Sequence, residues 1–429
     1  MKKTVLFIAL LIMGFSPVFG QESGVSMRIS KEWGGKILAS LAKPNSVGGT
    51  REELFQSMKK DLDLSGWIKW SASQSQVDQI AQNTSPDQIG ALDRWQSIGT
   101  QILIRTAIET DPDGNGRFEV YVYHTDRGDR IFAKRYHFNS GKMQTAVHVA
   151  SDDIIFHLTG EKGMASSKIA FVLDKTKGEK EVYICNYDGS NFYQITKDNS
   201  VVLGPDWAPD AKSLLYTTFR DVFSRIYIHN IYEGKRKRLA GYPGLNASAK
   251  FSPDGKKLVL VLSKDGNPEI YLSDLQGAIL KRLTNSKSVD TSPAWSPDGS
   301  KIAFVSDRTG RPHIYIMNAS SGAIETLTRS GRYNVSPDWS PKGDKIAFCS
   351  DQDGIFRIYV ADLVKGTMTP VSPEGVHAEE PDWAPDNRHL VYSGKSGGKF
   401  ALYVVDTLDG TVRLLASSGG SYLTPAWSS

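Results

Sequence analysis

An aromatic residue returns every 44 positions through the C-terminal part of this chain, at Trp207, Phe251, Trp295, Trp339, Trp383 and Trp427. Most are preceded by Pro-Asp or Pro-Ala and followed by a turn such as Ser252-Pro253-Asp254-Gly255 or Ser296-Pro297-Asp298-Gly299. Proline presets the backbone of such a turn, Asp can bond its own main chain, and Gly tolerates positive φ. An apolar run comes next, as in Ile302-Ala303-Phe304 or Ile346-Ala347-Phe348. A second run, such as Ile270-Tyr271-Leu272 or Ile314-Tyr315-Ile316, also repeats at 44, and a third, such as Arg282-Leu283-Thr284, ends each unit. Each unit therefore carries four short strands, and four-stranded units of this period are propeller blades.

The count of runs predicts the closure. The second and third runs occur six times, but the unit that begins near Lys168-Ile169-Ala170-Phe171 has no aromatic strand before it, and position 163 is a Gly. The last strand, Thr424-Pro425-Ala426-Trp427, has no unit after it. The C-terminal strand should complete the first blade and leave no long sheet edge exposed. The repeated Trp and Tyr residues are then expected to pack between blades and strands. Cys185 and Cys349 fall in different, non-adjacent blades and should be buried free thiols.

The first residues carry an export pattern. Lys2 and Lys3 precede an apolar run from Val5 to Phe15, and Val18-Phe19-Gly20 suits a signal peptidase. The run is shorter than the roughly 18 apolar residues of a spanning helix. Residues 1–20 thus read as a cleaved leader, with no Cys after it for a lipid anchor and no direct membrane insertion expected. The formal charge is +4, and loss of Lys2 and Lys3 leaves +2, which gives no nucleic-acid footprint.

Residues 21–160 lack the period and alternate helix with strand. Thr50-Arg51-Glu52-Glu53 reads as a capping box before an apolar face of Leu54, Phe55, Met58 and Leu62. Ser85-Pro86-Asp87-Gln88 is expected to start a second helix that runs through Ile89, Leu92 and Trp95 to Gly99. Strands are expected over Gln101–Glu109, Phe118–His124 and Arg130–Phe138, and a helix over Met143–Leu158. Asn45–Gly49 reads as a loop. The fold class is an all-β six-bladed β-propeller over 161–429, preceded by a small α/β domain.

Catalytic patterns are absent. The opening Asp111-Pro112-Asp113-Gly114-Asn115-Gly116 imitates a calcium loop, but its twelfth position is Val122 rather than the chelating Glu, so it reads as a hairpin turn. No Gly-x-Ser-x-Gly elbow, His-Glu-x-x-His pair or Cys/His metal spacing occurs. The chain is expected to be a monomeric binding protein with no cofactor and no metal. The alternative is an exported propeller hydrolase or lyase acting on peptides or oligosaccharides.

With these parts in order, the chain resembles the TolB family of the bacterial Tol–Pal envelope system. The leader, α/β domain and six Trp-Ser-Pro-Asp-Gly-type blades fit, as does the junction Ala150-Ser151-Asp152-Asp153-Ile154-Ile155-Phe156-His157-Leu158-Thr159-Gly160. The ending at the closing Trp strand argues against an appended hydrolase domain. The resemblance implies a periplasmic adaptor that supports outer-membrane integrity and envelope constriction at division. It implies that the peptidoglycan-associated lipoprotein Pal docks at the channel mouth, on loops just before each Trp strand. Those are Asn246, Ala247 and Ser248; Asp290, Thr291 and Ser292; Asn334 and Val335; and His377, Glu379 and Glu380. It also implies a contact with the inner-membrane protein TolA through Ser26, Met27, Arg28 and Ile29.

Overall fold

A computed structural model describes residues 36–44, 49–176, 178–351 and 354–429. The leader, the Ser26–Ile29 segment and most of the loop at 45–49 lie outside them.

The front domain is a five-stranded mixed sheet of order β2-β1-β3-β4-β5. Its strands are β1 (Ile37–Ala42), β2 (Ile68–Trp70), β3 (Ile102–Thr110), β4 (Gly116–His124) and β5 (Arg130–Phe138). One face packs against α1 (Gly49–Leu64) and α4 (Met143–Thr159). Leu54, Phe55, Met58 and Leu62 meet Val147, Ile154 and Leu158 there, as their periodicity requires. Helix α1 begins one residue before Thr50, so Thr50 lies inside the helix rather than capping it. The Asp111–Gly116 segment is the turn between β3 and β4, held by Asn115 N–H donating to Asp111 Oδ1 at 2.9 Å.

The other face differs from expectation. Helix α2 (Gln74–Ala81) and the short α3 (Leu92–Ser97) cover it, and Ser85–Gln88 is irregular. The cause is Arg105, a buried side chain on β3. Its guanidinium donates to the carbonyls of Ala81, Thr84, Ser85 and Gln88 at 2.7–3.2 Å. Those four carbonyls point at one cation, which a continuous helix would not allow.

Six four-stranded sheets form the ring. Blade 1 joins β29 (Ser421–Trp427) to β6 (Lys168–Thr176), β7 (Glu179–Asn186) and β8 (Tyr193–Gln194). Blades 2 to 6 run from β9 (Val202–Trp207) to β12 (Lys235–Ala240), β13 (Asn246–Phe251) to β16 (Ile279–Arg282), β17 (Asp290–Trp295) to β20 (Ile324–Thr326), β21 (Tyr333–Trp339) to β24 (Thr367–Pro370), and β25 (Ala378–Trp383) to β28 (Val412–Ala416). The ring closes as the repeat count requires: β29 pairs antiparallel with β6, from Ser421 opposite Asp174 to Trp427 opposite Ile169.

Blades stack on both faces, so the second strands are apolar without alternation. Ile169, Ala170, Phe171 and Val172 are all fully buried. Cross-strand aromatic pairs brace the second and third strands, including Phe171 with Tyr183, Tyr216 with Tyr227, Phe348 with Tyr359 and Tyr392 with Tyr403. Cys185 and Cys349 are buried free thiols in blades 1 and 5.

The Ser-Pro-Asp-Gly turns close on themselves: Ser252 Oγ donates to Asp254 Oδ1 at 2.6 Å and accepts the Lys257 amide at 2.9 Å. These turns mark one face of the ring, the turn face. The front domain sits on it. Tyr187 of blade 1 donates to Asp61 of α1 at 2.6 Å, and Asp61 also takes His148 Nδ1 and Ser151 Oγ of α4. Arg388 lies over the Trp67 ring, Lys342 pairs with Glu161, and Lys36 pairs with Asp409. Gly66, at φ +73°, lies so close to Arg388 and Asp406 that a Cβ would meet them at 2.6 and 2.7 Å.

Candidate docking face at the channel mouth

The opposite face, the loop face, is where each innermost strand begins. These strands share a defect. Two residues per strand fall out of register with the neighbouring strand, between Ala247 and Lys250, Thr291 and Ala294, Val335 and Asp338, Glu379 and Asp382, and Leu423 and Ala426. The first residue of each bulge has positive φ: Ser248, Ser292, Ser336, Glu380 and Thr424 lie between 45° and 57°, and Gly204 occupies the same place in blade 2. L-residues adopt this region at a cost of roughly 1 kcal/mol or more. Such strain gathers where a site over-determines the backbone. A buried Pro or Ala follows each one.

The bulges line a cavity of 160 Å³, shared among all six blades. A larger one of 480 Å³ opens toward the turn face between the Trp rings and the Ser-Pro turns. Lys250, Asp338 and Asp382 line both, so the two cavities meet at this ring of charge. The repeated Trp side chains therefore wall the channel as well as packing between blades. Trp207 Nε1 donates across the seam to the Ala426 carbonyl at 3.1 Å, and Trp427 Nε1 donates to Ser167 Oγ at 2.6 Å.

The channel carboxylates also staple blades together. Asp206 accepts the Phe251 amide, Asp338 the Trp383 amide and Asp382 the Trp427 amide, at 3.1, 2.8 and 2.6 Å. Lys250 Nζ reaches Asp206 Oδ1 at 2.9 Å. Burial raises Asp338 to about 6 against the pull of Lys250. Burial and the neighbouring Asp338 raise Asp382 well above the carboxylate range. Burial lowers Lys250, but Asp206, Asp382 and Asp338 outweigh it and hold the ammonium above its usual value. Glu380, which accepts the Thr424 amide at 2.6 Å, is raised by burial to about 7.

The residues singled out from sequence divide into two sets. They lie at the start of the innermost strands or immediately before them, and most are in strand rather than loop. Asn246, Asp290 and Asn334 are buried at 0, 0 and 1 % exposure. Asn246 bonds the Tyr242 amide and carbonyl, Arg308 grips Asp290 through both oxygens, and Asn334 donates to the Ser330 carbonyl. These three build the mouth and offer no free side chain to a partner. Ala247, Ser248, Thr291, Ser292, Val335, His377, Glu379 and Glu380 are half-buried around it.

The same 44-residue register extends this ring to Leu203, Gly204, Ser336, Leu423 and Thr424, which sequence reasoning missed. It also missed an aromatic row across blades 5 and 6. Tyr333 meets Phe356, and His377 lies edge-on between Phe356 and Phe400, with ring centroids 5.4–6.3 Å apart. His377 Nε2 pairs with Glu379 at 2.5 Å. On blade 2 the hairpin tip exposes Phe219, Val222 and Phe223 on the same face. Tyr333 and His377, like Phe356 and Phe400, stand 44 residues apart, but the equivalent positions of the preceding blades, Val289 and Pro312 or Leu245 and Pro268, carry no ring, so the row does not stand out as a repeat.

Comparison with known proteins accords with this architecture. The family described as "TolB beta propeller domain" matches residues 156–429. The Tol-Pal system protein TolB of Geobacter sulfurreducens is 34% identical over 216 residues, 48% of each chain. That of Methylococcus capsulatus is 32% identical over 227 residues, 52% of each. The chain thus spans about half the length of the curated relatives it matches. The crystal structure of TolB from Acinetobacter baumannii superposes with a TM-score of 0.81 at 28% identity, covering 92% of this chain and 96% of that one. With this match over more than half its length, the chain belongs to the TolB β-propeller family.

Proposed function

We propose that this chain is a periplasmic adaptor of a Tol–Pal system that holds a Pal-like lipoprotein on its loop face. In that role it supports outer-membrane integrity and envelope constriction at division, by binding rather than catalysis. One observation carries the reading: the front domain occupies the turn face, while the loop face presents a strained, half-buried mouth whose side chains differ between blades. Binding residues accumulate on such rims of a rigid scaffold. The aromatic row from Tyr333 to Phe400 supplies the rigid apolar anchors that dominate interface energy, and the polar mouth supplies the rim. The relatives' names supply the partner. A TolA-like contact through Ser26, Met27, Arg28 and Ile29 belongs to the same proposal.

Thr291→Arg puts a long cation at a half-buried mouth position. It should weaken binding of the soluble Pal domain by about tenfold or more, equivalent to about 1.4 kcal/mol, with an unchanged melting temperature. Wild-type affinity of the variant in calorimetry would remove this face from the account. Turnover of a peptide or oligosaccharide substrate would favour the hydrolase or lyase reading instead.

A further inference from the structure

Between α4 and blade 1, away from the channel, lies a separate cavity of 180 Å³. At about 30 Å³ per water, it holds a group of roughly six heavy atoms. Its wall includes Lys142, Lys168, His148, Gln144 and Thr145, together with serines and asparagines of blade 1, and no carboxylate. It sits at the start of a 17-residue helix, where the macrodipole favours negative charge. The cap residue is Lys142, which makes no side-chain cap, and the first turn holds no acidic residue. Among the described residues, the first three amides of α4 have no acceptor in the protein.

A second observation is independent of the helix. His148 is 7 % exposed and contributes to this wall, and its Nε2 is buried with no hydrogen-bond partner. Its Nδ1 is already committed to Asp61 at 2.8 Å, which leaves Nε2 as the unpaired nitrogen of a residue that lines the cavity. A buried ring nitrogen without a partner demands one. With Nδ1–H donating to the Asp61 carboxylate, Nε2 is an acceptor, and the hydroxyl of a hydrogen phosphate can donate to it. Lys168 lines the same cavity, where burial lowers its ammonium below the usual value and Lys142 adds repulsion; an anion would relieve both.

We propose that this cavity binds a small tetrahedral oxyanion of the phosphate class, held by Lys142, Lys168, His148 and the open amides of α4. The site takes residues from both domains, so an occupant would tie the front domain to the propeller. Because it lies outside the channel, it is independent of the Pal-binding proposal.

The test is thermal unfolding of the purified chain in rising inorganic phosphate, against chloride at matched ionic strength. A ligand bound only by the folded state stabilises it in proportion to the logarithm of its concentration. A rise of roughly 2 °C or more is expected in phosphate over chloride. It should be absent in the Lys142→Gln/Lys168→Gln double variant, whose melting temperature in chloride stays at the wild-type value. Co-sedimentation with vesicles containing phosphatidic acid separates the sources. A phosphate effect without vesicle binding assigns a free ion, and vesicle binding lost in the double variant assigns a lipid headgroup. No response to either probe, or an equal response in the double variant, overturns the proposal.

Discussion

Deleting Leu423–Ser429 should lower the melting temperature by roughly 10 °C or more. The segment supplies most of the innermost strand of blade 1, and nothing else in the ring can replace it. Trp427 is 6 % exposed and packs with Phe171, Tyr183 and Tyr422 in one core. Loss of a buried Trp alone costs about 3–5 kcal/mol, and a domain of this size shifts by about 2–4 °C per kcal/mol. The deletion also strips the partner of Asp382, the Trp427 amide, and removes Ser428 Oγ, which accepts the Lys168 amide at 2.9 Å. It exposes the edge of β6, whose central Ile169–Leu173 run is apolar. An unchanged melting temperature would mean that the ring does not depend on this closure.

The second large effect concerns Lys250. It is the cation among the three channel aspartates, so Lys250→Met leaves Asp206, Asp338 and Asp382 uncompensated. Removing one partner of a fully buried ion pair costs roughly 3–5 kcal/mol; Lys250 and Asp206 are partly buried, so the variant should lose up to about that much at pH 7.5. The loss should shrink on acidification. Asp338 is raised to about 6 in the fold, so the folded state binds the proton that the unfolded chain has released. A carboxyl with a raised folded-state pKa favours the fold below that pKa, and its contribution falls as pH rises from about 4 toward 6. Without Lys250 the window moves to higher pH. Chemical denaturation at pH 5 and 7.5 checks this: the gap between wild type and Lys250→Met should be smaller at pH 5. A gap that is constant or wider at pH 5 would mean that Lys250 does not hold the channel charge.

The blades were legible because every repeat imposes the same physics at the same spacing. Trp427 and Lys168–Phe171 even disclosed how the ends meet. The front domain was readable where one apolar face repeats, as in α4, and failed where a distant residue decides. Nothing local at Ser85–Gln88 reveals that Arg105 will collect its carbonyls. Strand β1, Ile37–Ala42, was missed because a six-residue, mostly apolar run broken by Ser40 carries no period of its own. The mouth was half legible. The period located it, but the bulge reorders which side chains turn inward, so Asn246, Asp290 and Asn334 stood beside Ala247, Thr291 and Val335 without distinction. The charged position before the Trp, as in Asp338 and Asp382, was visible in the repeat. Its role as a staple between blades depends on the amide one blade further on.

Amide hydrogen exchange of the purified chain, with and without a saturating soluble domain of the peptidoglycan-associated lipoprotein, tests the docking face most directly. Slower exchange is expected in segments 242–248, 286–292, 330–335 and 374–380 on the loop face, with the Ser-Pro turns at 252–256 and 296–300 unchanged. Protection confined to those turns and the front domain, or none at all, would contradict it.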